Sequence, residues 1–362
     1  MSTLFHPLRV RRIEPDTAEA VIVSFDVPDD LRSTFAFTQG QYLTLRKTID
    51  GQDLRRSYSI CAGVDDGELR VGVRKVRGGA FSNWIHSSLQ PGQTLDVMAP
   101  QGRFFVAIDP AAHHHHVAIA GGSGITPILS ILKTVLAREP HSRFTLIYSN
   151  RSAASTMFKE ELDDLKNRYM ARLSVHHVFT QEPQGDSPLF SGRIDQQKFG
   201  VFLGTLLTPD DIDHVFICGP FQMNDEAEAA LLAAGVPEER IHIERFAVAQ
   251  KAAGDVGAIV HEAQAGDAEK ARVVIILDGV SREIEFSKGQ PSILDCASAA
   301  GLEVPFSCTS GVCGTCRAKL VEGEVRMARN YALDKRDVEA GFVLACQSHP
   351  LTERVVLSFD ER

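Results

Sequence analysis

The chain has a single tryptophan in 362 residues, no long apolar run and no excess of positive charge. No stretch approaches the roughly 18–20 apolar residues of a membrane-spanning helix. Against 47 Asp and Glu there are 38 Lys and Arg, a formal net charge of −9. With no basic run or stripe to offset it, non-specific nucleic-acid binding is disfavoured. The opening MSTLFHPLRVRR carries charge with no apolar stretch after it, so no secretory signal is read there. There is no internal repeat, and no pair of E-x-x-H motifs of the kind that builds a di-iron centre. The expectation is a soluble, cytoplasmic protein that binds neither membrane nor nucleic acid and leaves oxygen chemistry to a partner. An apolar content of 44% and a charged content of 23% are ordinary for globular domains, and the length allows two or three of them.

Seven cysteines, an odd number, argue against a disulfide framework. Four of them sit in the last 55 residues. Cys308, Cys313 and Cys316 are spaced C-x4-C-x2-C, and Cys346 follows after 29 residues. That is the plant-type spacing for a [2Fe–2S] cluster, whose two irons each take two thiolates. Gly311 and Gly314 let the loop wrap tightly and aim amide N–H groups at the sulfurs. Cys346 is placed on a buried strand, VLACQ. Structural zinc competes, but it favours paired C-x2-C knuckles or Cys/His mixtures. Cys296, in the helix-like SILDCASAAG, reads as a small buried apolar residue.

The rhythm of the chain changes twice. Residues 1–110 alternate as short strands (LRVRRIEP, AVIVSFDVP, QYLTLRK, SYSICA, LRVGVRKV, TLDVMAP), broken by one short helix, AFSNWIHSSL. This predicts an antiparallel β-barrel. Residues 111–246 alternate strand and helix, which predicts a parallel, Rossmann-like sheet. Its first helix carries Ile125, Ile128, Leu129, Leu132, Val135 and Leu136 on one face. Residues 247–271, rich in Ala, Gly and charge, read as a linker. Residues 272–362 hold a hairpin, a helix and the cysteine loop. The four histidines at 113–116 read as a solvated loop entering a strand.

A cluster passes single electrons, so something must deliver them. Arg56-Ser57-Tyr58-Ser59 ends a strand, and Gly78-Gly79-Ala80-Phe81-Ser82 opens a helix. An arginine and a helix N-terminus can seat a flavin phosphate or pyrophosphate, the aromatic can lie on the ring, and Ser59 can hydrogen-bond it. A strand tyrosine is equally at home as packing. Gly121, Gly122 and Gly124 in GGSGITP lie between strand and helix, where backbone can approach a pyrophosphate and Thr126 can donate to it. The motif departs from G-x-G-x-x-G. Cys218, Gly219 and Pro220 close a later strand at the edge where such folds bind ligands, and Cys218 is either a neighbour of the nicotinamide or a buried strand cysteine. Arg151, following the strand that ends YSN, suits a 2′-phosphate and therefore NADPH over NADH.

These motifs in this order resemble the ferredoxin–NADP⁺ reductase superfamily with a C-terminal plant-type ferredoxin. Further stretches (GQYLTL, MAPQGRF, FTLIYSNRS, HIERF, VVLSFD) are most similar to the reductase components that serve phenylacetyl-CoA epoxidases. The resemblance implies a β-barrel flavin domain, a nucleotide domain and a β-grasp ferredoxin domain. It also implies FAD (FMN is used by some members), NADPH, a [2Fe–2S] cluster and delivery of single electrons to a separate di-iron oxygenase in phenylacetate catabolism. It places Arg56, Ser57, Tyr58 and Ser59 at the flavin, Gly78, Gly79 and Ser82 at its phosphates, Thr126 and Cys218 near the nicotinamide, and Phe246 over the flavin's other face. Ser59 and Cys218 are the candidate catalytic pair. Other readings stay open: a reductase for a ring-hydroxylating dioxygenase, a phenol or steroid hydroxylase, an FMN/NADH enzyme, or a redox sensor or zinc-stapled module without catalysis. Arg317, Lys319, Arg326 and Arg329, close to the cysteine loop, are read as solvated charges rather than a docking patch.

Overall fold

A computed structural model describes residues 5–182, 188–246 and 263–361. The chain divides into two compact units, one spanning 5–246 and a second whose described residues are 263–361.

The first unit opens with β1 (Phe5–Thr17), β2 (Ala20–Asp26), β3 (Tyr42–Ile49), β4 (Gln52–Ser59), β5 (Leu69–Arg74), α1 (Ala80–Ser88) and β6 (Thr94–Met98). All neighbouring strands are antiparallel, in the order β4-β3-β6-β1-β2-β5. A bridge between Ile60 and Val71 joins the two ends, so the sheet closes into the expected barrel. Leu8, Val10, Leu43, Leu45, Val71, Val73, Phe81 and Val97 fill it. The period-2 alternation of those strands is what sends every second side chain inward.

There follow β7 (His115–Gly121), α2 (Ile125–Arg138), β8 (Arg143–Asn150), α3 (Lys159–Arg168), β9 (Leu173–Phe179), α4 (Gln196–Thr205), β10 (His214–Cys218), α5 (Phe221–Ala233) and β11 (Ile241–Glu244). The sheet is parallel, in the order β11-β10-β7-β8-β9. The chain reverses direction of growth beside β7, and in such sheets ligands bind at the carboxyl ends of the strands flanking that point. All six predicted apolar residues of α2 are buried, each worth on the order of 2 kcal/mol. Helix α4 went unread because Gly200 and Gly204 weaken its propensity; Asp195 caps it by accepting from the Lys198 amide (2.8 Å).

The histidine run enters a strand as expected, with His113 exposed and His114 half-buried ahead of β7, but its second half is not solvated. His115 and His116 lie inside β7 and are buried, because a parallel strand covered on both faces takes its side chains inward whatever their type.

The second unit contains β12 (Lys270–Leu277), β13 (Val280–Ser287), α6 (Ile293–Ala299), β14 (Arg317–Glu322), β15 (Val325–Met327), α7 (Lys335–Glu339), β16 (Phe342–Leu344), β17 (Ser348–Pro350) and β18 (Arg354–Ser358). The mixed sheet β13-β12-β18-β14-β16, with β12 and β18 parallel, packs against α6 in the manner of a β-grasp ferredoxin. The hairpin β12–β13 turns at Asp278 and Gly279, both at positive φ, the geometry a two-residue hairpin demands. Cys296 is buried on α6 as read.

Residues 247–262 of the predicted linker lie outside the described residues. Within 263–271, Asp267 is buried against Arg326 (2.7 Å) and Lys270 starts β12. Of the cations near the cysteine loop, Arg329 is exposed as read, whereas Arg317, Lys319 and Arg326 are engaged. Arg317 lies over the Phe342 ring and pairs with Asp337 at 3.0 Å, and Lys319 donates to the Ala340 carbonyl. Among the described residues no helix is long and apolar enough to cross a membrane.

Candidate functional site

At the carboxyl edge of the parallel sheet two turns interlock. β7 ends at Gly121, and Gly122 takes φ +53° while its carbonyl accepts from the Tyr148 hydroxyl at 2.9 Å. Gly124 then opens α2, with no side chain capping the first amides. A Cβ on Gly124 would stand 1.9 Å from the Cys218 carbonyl oxygen, and one on Gly121 2.5 Å from Pro220 Cδ. Glycine is required at both because the backbone at the end of β10, Cys218-Gly219-Pro220, occupies that space. The uncapped helix start facing this edge is an anion seat.

Thr126, the second residue of α2, is buried at this junction. Its hydroxyl donates to the Ser123 carbonyl (3.0 Å), and its methyl fits where a side chain on Gly72 of β5 would be, locking the sheet to the barrel. Arg74, at the end of β5, hangs over Gly122. Arg74 and Arg151 converge on Glu19, at 3.1 and 2.5 Å.

On the barrel, Tyr58 packs against Phe81 of α1 (centroids 6.2 Å apart), and burial holds its hydroxyl protonated well above the usual range, against the opposing Arg56. Arg56 is exposed and donates to the Arg55 carbonyl at 2.7 Å; Ser57 shares a hydrogen bond with Thr44 (3.2 Å). Gly78 turns at φ +74° with open space beside its Cα, and Gly79 starts α1 without a capping side chain. Ser82 Oγ accepts from the Val76 amide (3.1 Å), which tightens this turn.

Barrel and sheet meet at Ser59, whose hydroxyl donates to Glu244 Oε2 at 3.2 Å. Glu244 ends β11 in register with Cys218 on β10. Ser59 and Cys218, far apart in sequence, are therefore both brought to Glu244, the first by a hydrogen bond and the second by strand register. Burial pushes Glu244 up to about 8, with only the Ser59 hydrogen bond opposing. Burial, reinforced by Glu244, also keeps the Cys218 thiol protonated. Glu244 was missed by sequence reading; its signal was a lone acid closing the apolar strand of HIERF. Phe246, two residues on, is 44% exposed. A cleft of ≈780 Å³ lined by Phe37, Ile108 and Arg138 holds none of these residues, so concavity alone points elsewhere.

In the second unit the four cysteines converge as two pairs, Cys308 with Cys313 and Cys316 with Cys346. The Cys313 thiol and the Ser310 and Val312 amides, against the effect of burial, lower Cys308 below the ordinary thiol range. The Cys313 and Ser310 amides reach Cys308 Sγ at 3.4 and 3.5 Å, the Thr315 amide reaches Cys313 Sγ at 3.5 Å, and Gln347 Nε2 reaches Cys346 Sγ at 3.5 Å. Thr309, Gly311 and Gly314, all at positive φ, curl the loop so that these amides face inward. Cys346 sits in a tight turn after β16 rather than on a strand. A tetrahedral zinc site would hold all its sulfurs about 3.8 Å apart. Among the described residues the set of three ligand atoms mutually within 4.8 Å is a different one. Two separated pairs suit two irons.

Family models match three consecutive stretches: an oxidoreductase FAD-binding domain over 8–106, an oxidoreductase NAD-binding domain over 118–229, and a 2Fe-2S iron-sulfur cluster binding domain over 275–351. The chain is 42% identical over 360 residues (99% of both proteins) to one of the subunits of the 1,2-phenylacetyl-CoA epoxidase of Escherichia coli K12. The chain belongs to the flavin- and iron–sulfur-dependent reductases of multicomponent oxygenases. The ferredoxin reductase component of 3-ketosteroid-9-alpha-monooxygenase from Rhodococcus rhodochrous is 34% identical over 97% of this chain and 96% of that one. Phthalate dioxygenase reductase, described as a modular structure for electron transfer from pyridine nucleotides to [2Fe–2S], superposes with TM-score 0.58 at 25% identity over 98% of both chains. The reductase is thus an oxidoreductase with FAD, NAD and [2Fe–2S] domains in that order.

Its residues fit those groups. The uncapped start of α1 beside the open Gly78 turn suits a flavin phosphate, the interlocked glycine turns suit a dinucleotide, and the paired thiols suit a cluster. The raised Glu244 has a consequence for stability. A carboxyl whose folded pKa exceeds its unfolded value of 4.5 costs nothing below pH 4.5, and the cost grows until pH reaches about 8. At about 1.4 kcal/mol per unit this reaches at most a few kcal/mol, less any solvent screening through the partly open cleft. Glu244→Gln keeps an acceptor for Ser59 and removes the ionisation. Its urea midpoint, followed by flavin fluorescence, is expected to match the parent's near pH 5 and exceed it progressively up to pH 8. A difference independent of pH would contradict the buried carboxyl.

Proposed function

We propose that this reductase takes hydride equivalents from NADPH and delivers single electrons to the di-iron oxygenase of a phenylacetyl-CoA epoxidase, in cytoplasmic phenylacetate catabolism. The 42% identity to the Escherichia coli protein, running end to end, carries this reading. FAD when bound converts a two-electron donor into single electrons, and the [2Fe–2S] cluster relays them.

The division of labour we propose runs along the chain. In residues 1–110, Arg56 and the start of α1 at Gly78, Gly79 and Ser82 hold the flavin phosphates, and Ser57, Tyr58 and Ser59 line its ring. In 111–246, Gly121, Gly122, Gly124 and Thr126 shape the dinucleotide seat beside Cys218, Gly219 and Pro220, and Phe246 borders the flavin. Ser59 Oγ and Glu244 Oε2 hold a proton between them beside Cys218, whose buried thiol stays neutral and excludes water. Residues 247–271 link to 272–362, where Cys308, Cys313, Cys316 and Cys346 ligate the cluster.

Arg151 and Arg74 supply two guanidinium groups for a 2′-phosphate, which displaces Glu19 from them. Arg151→Ala is therefore expected to lower kcat/KM for NADPH about 10- to 100-fold, the worth of a hydrogen bond to a charged group, with NADH unaffected. Equal losses for both coenzymes would remove Arg151 from the specificity site.

The deciding experiment is NADPH-driven, phenylacetyl-CoA-dependent oxygen uptake with the purified oxygenase component. Coupled turnover that stops when the reductase is omitted supports the reading. Rapid dye reduction without coupled turnover keeps the reductase chemistry and rejects this partner in favour of another, such as a steroid oxygenase.

A further inference from the structure

The histidine run that the sequence presented as a loop meets a buried acid at the amino edge of the nucleotide sheet. His116 is fully buried, and its Nε2 lies 2.9 Å from Oε2 of Glu139, also fully buried at the end of α2. His114 Nδ1 points at the same oxygen from 3.9 Å, too far for a hydrogen bond. That nitrogen is itself buried and has no hydrogen-bond partner. The three ligand atoms lie within 4.8 Å of one another. Glu139 is held in place from its other side, Oε1 accepting from the Asp109 amide at 3.2 Å. His214 adds a ring 5.3 Å from that of His114 and 5.5 Å from that of His116.

We propose that His114, His116 and Glu139 bind one divalent cation of the zinc class. Metal–ligand bonds of about 2.1 Å in a tetrahedron separate the ligand atoms by about 3.4 Å. The observed 2.9 and 3.9 Å bracket that spacing and the third separation is within 4.8 Å, so side-chain shifts of about 1 Å close the site. Two imidazoles and one carboxylate select zinc and its neighbours over magnesium or calcium, which prefer oxygen. On binding, the proton between His116 Nε2 and Glu139 leaves to solvent and the cation takes its place. His114, whose side chain is 34% exposed, provides the route in and leaves the fourth position to water. β7 runs from His115 to Gly121, so roughly 20 Å of strand separates this site from the dinucleotide edge. The cation therefore braces the sheet and takes no part in electron transfer.

The test uses the tag-free holoprotein dialysed against Zn²⁺ alone, with bound metal measured against iron and the cluster absorbance followed throughout. One zinc per two irons with unchanged cluster absorbance is expected, together with a rise in melting temperature on zinc addition. His114→Ala and His114→Gln are each expected to weaken zinc binding at least about tenfold, the loss that even outer-shell changes cause. His113→Ala, which removes a neighbouring histidine outside the site, is expected to leave it intact. Zinc uptake that bleaches the cluster, uptake abolished by His113→Ala instead, or no uptake beyond iron would each overturn the proposal.

Discussion

Cys313→Ser is expected to abolish electron delivery out of the reductase while NADPH-driven reduction of ferricyanide continues at the parent rate. Cys313 belongs to the Cys308 pair, and its sulfur also receives the Thr315 amide at 3.5 Å. A serine hydroxyl is a harder, more basic donor that suits iron–sulfur chemistry poorly, and the neighbouring amides are set to stabilise charge on sulfur. Outer-shell changes alone cost 10- to 100-fold, so loss of a ligand should lower cytochrome c or oxygenase reduction by more than about 100-fold. Ser59, Glu244 and Cys218 stand in a separate compact unit, so the hydride transfer proposed there is expected to be untouched. Iron analysis and the absorbance of the retained flavin check the assignment. Parallel loss of ferricyanide activity would mean that the two units do not work independently.

What could be read from sequence follows from how local each signal is. The six barrel strands and α2 were legible because their periodicity lies within a dozen residues, and the structure buries the predicted faces. The cysteine spacing carried its chemistry for the same reason. The asymmetric C-x4-C-x2-C spacing already favoured a cluster over zinc; what the sequence could not give was the conformation of Cys346, 30 residues from Cys316, which lies in a tight turn rather than on the expected strand. The second half of the histidine run was misread because its polarity suggested solvent, whereas Glu139, the partner of His116, is a neighbour only in space.

Glu244 illustrates the same limit at the candidate site. Sequence reading singled out Ser59 and Cys218 as a pair, and Phe246 with them, but the Glu244 carboxyl set beside both was invisible without the register of β10 and β11. Arg151 was singled out by its position after β8 as a candidate phosphate ligand. That Glu19, on the turn before β2, holds it together with Arg74 required the barrel to be packed against the sheet. Arg317 and Arg326 looked like surface charges; their partners Asp337 and Asp267 lie 20 and 59 residues away.

Gly124→Ala should produce the opposite lesion to Cys313→Ser. A methyl group there would sit 1.9 Å from the Cys218 carbonyl oxygen and 2.4 Å from its carbon, both backbone atoms that no rotamer change can move. The start of α2 and the end of β10 must separate by more than an ångström. Overpacking of this kind costs about 1–3 kcal/mol and more where backbone must shift. α2 also carries a buried face in the sheet core, so the displacement spreads into its contacts with β7 and β8. A misplacement of about 1 Å in a reacting geometry can cost 10²-fold. NADPH-driven ferricyanide reduction is therefore expected to fall about 100-fold, and the variant's melting temperature should lie below the parent's. The cluster, housed in the other unit, should still be reduced by dithionite and pass electrons to cytochrome c as in the parent. Gly124→Ala with normal NADPH turnover would show that the two turns have slack, and the interlock could not then be what positions Cys218.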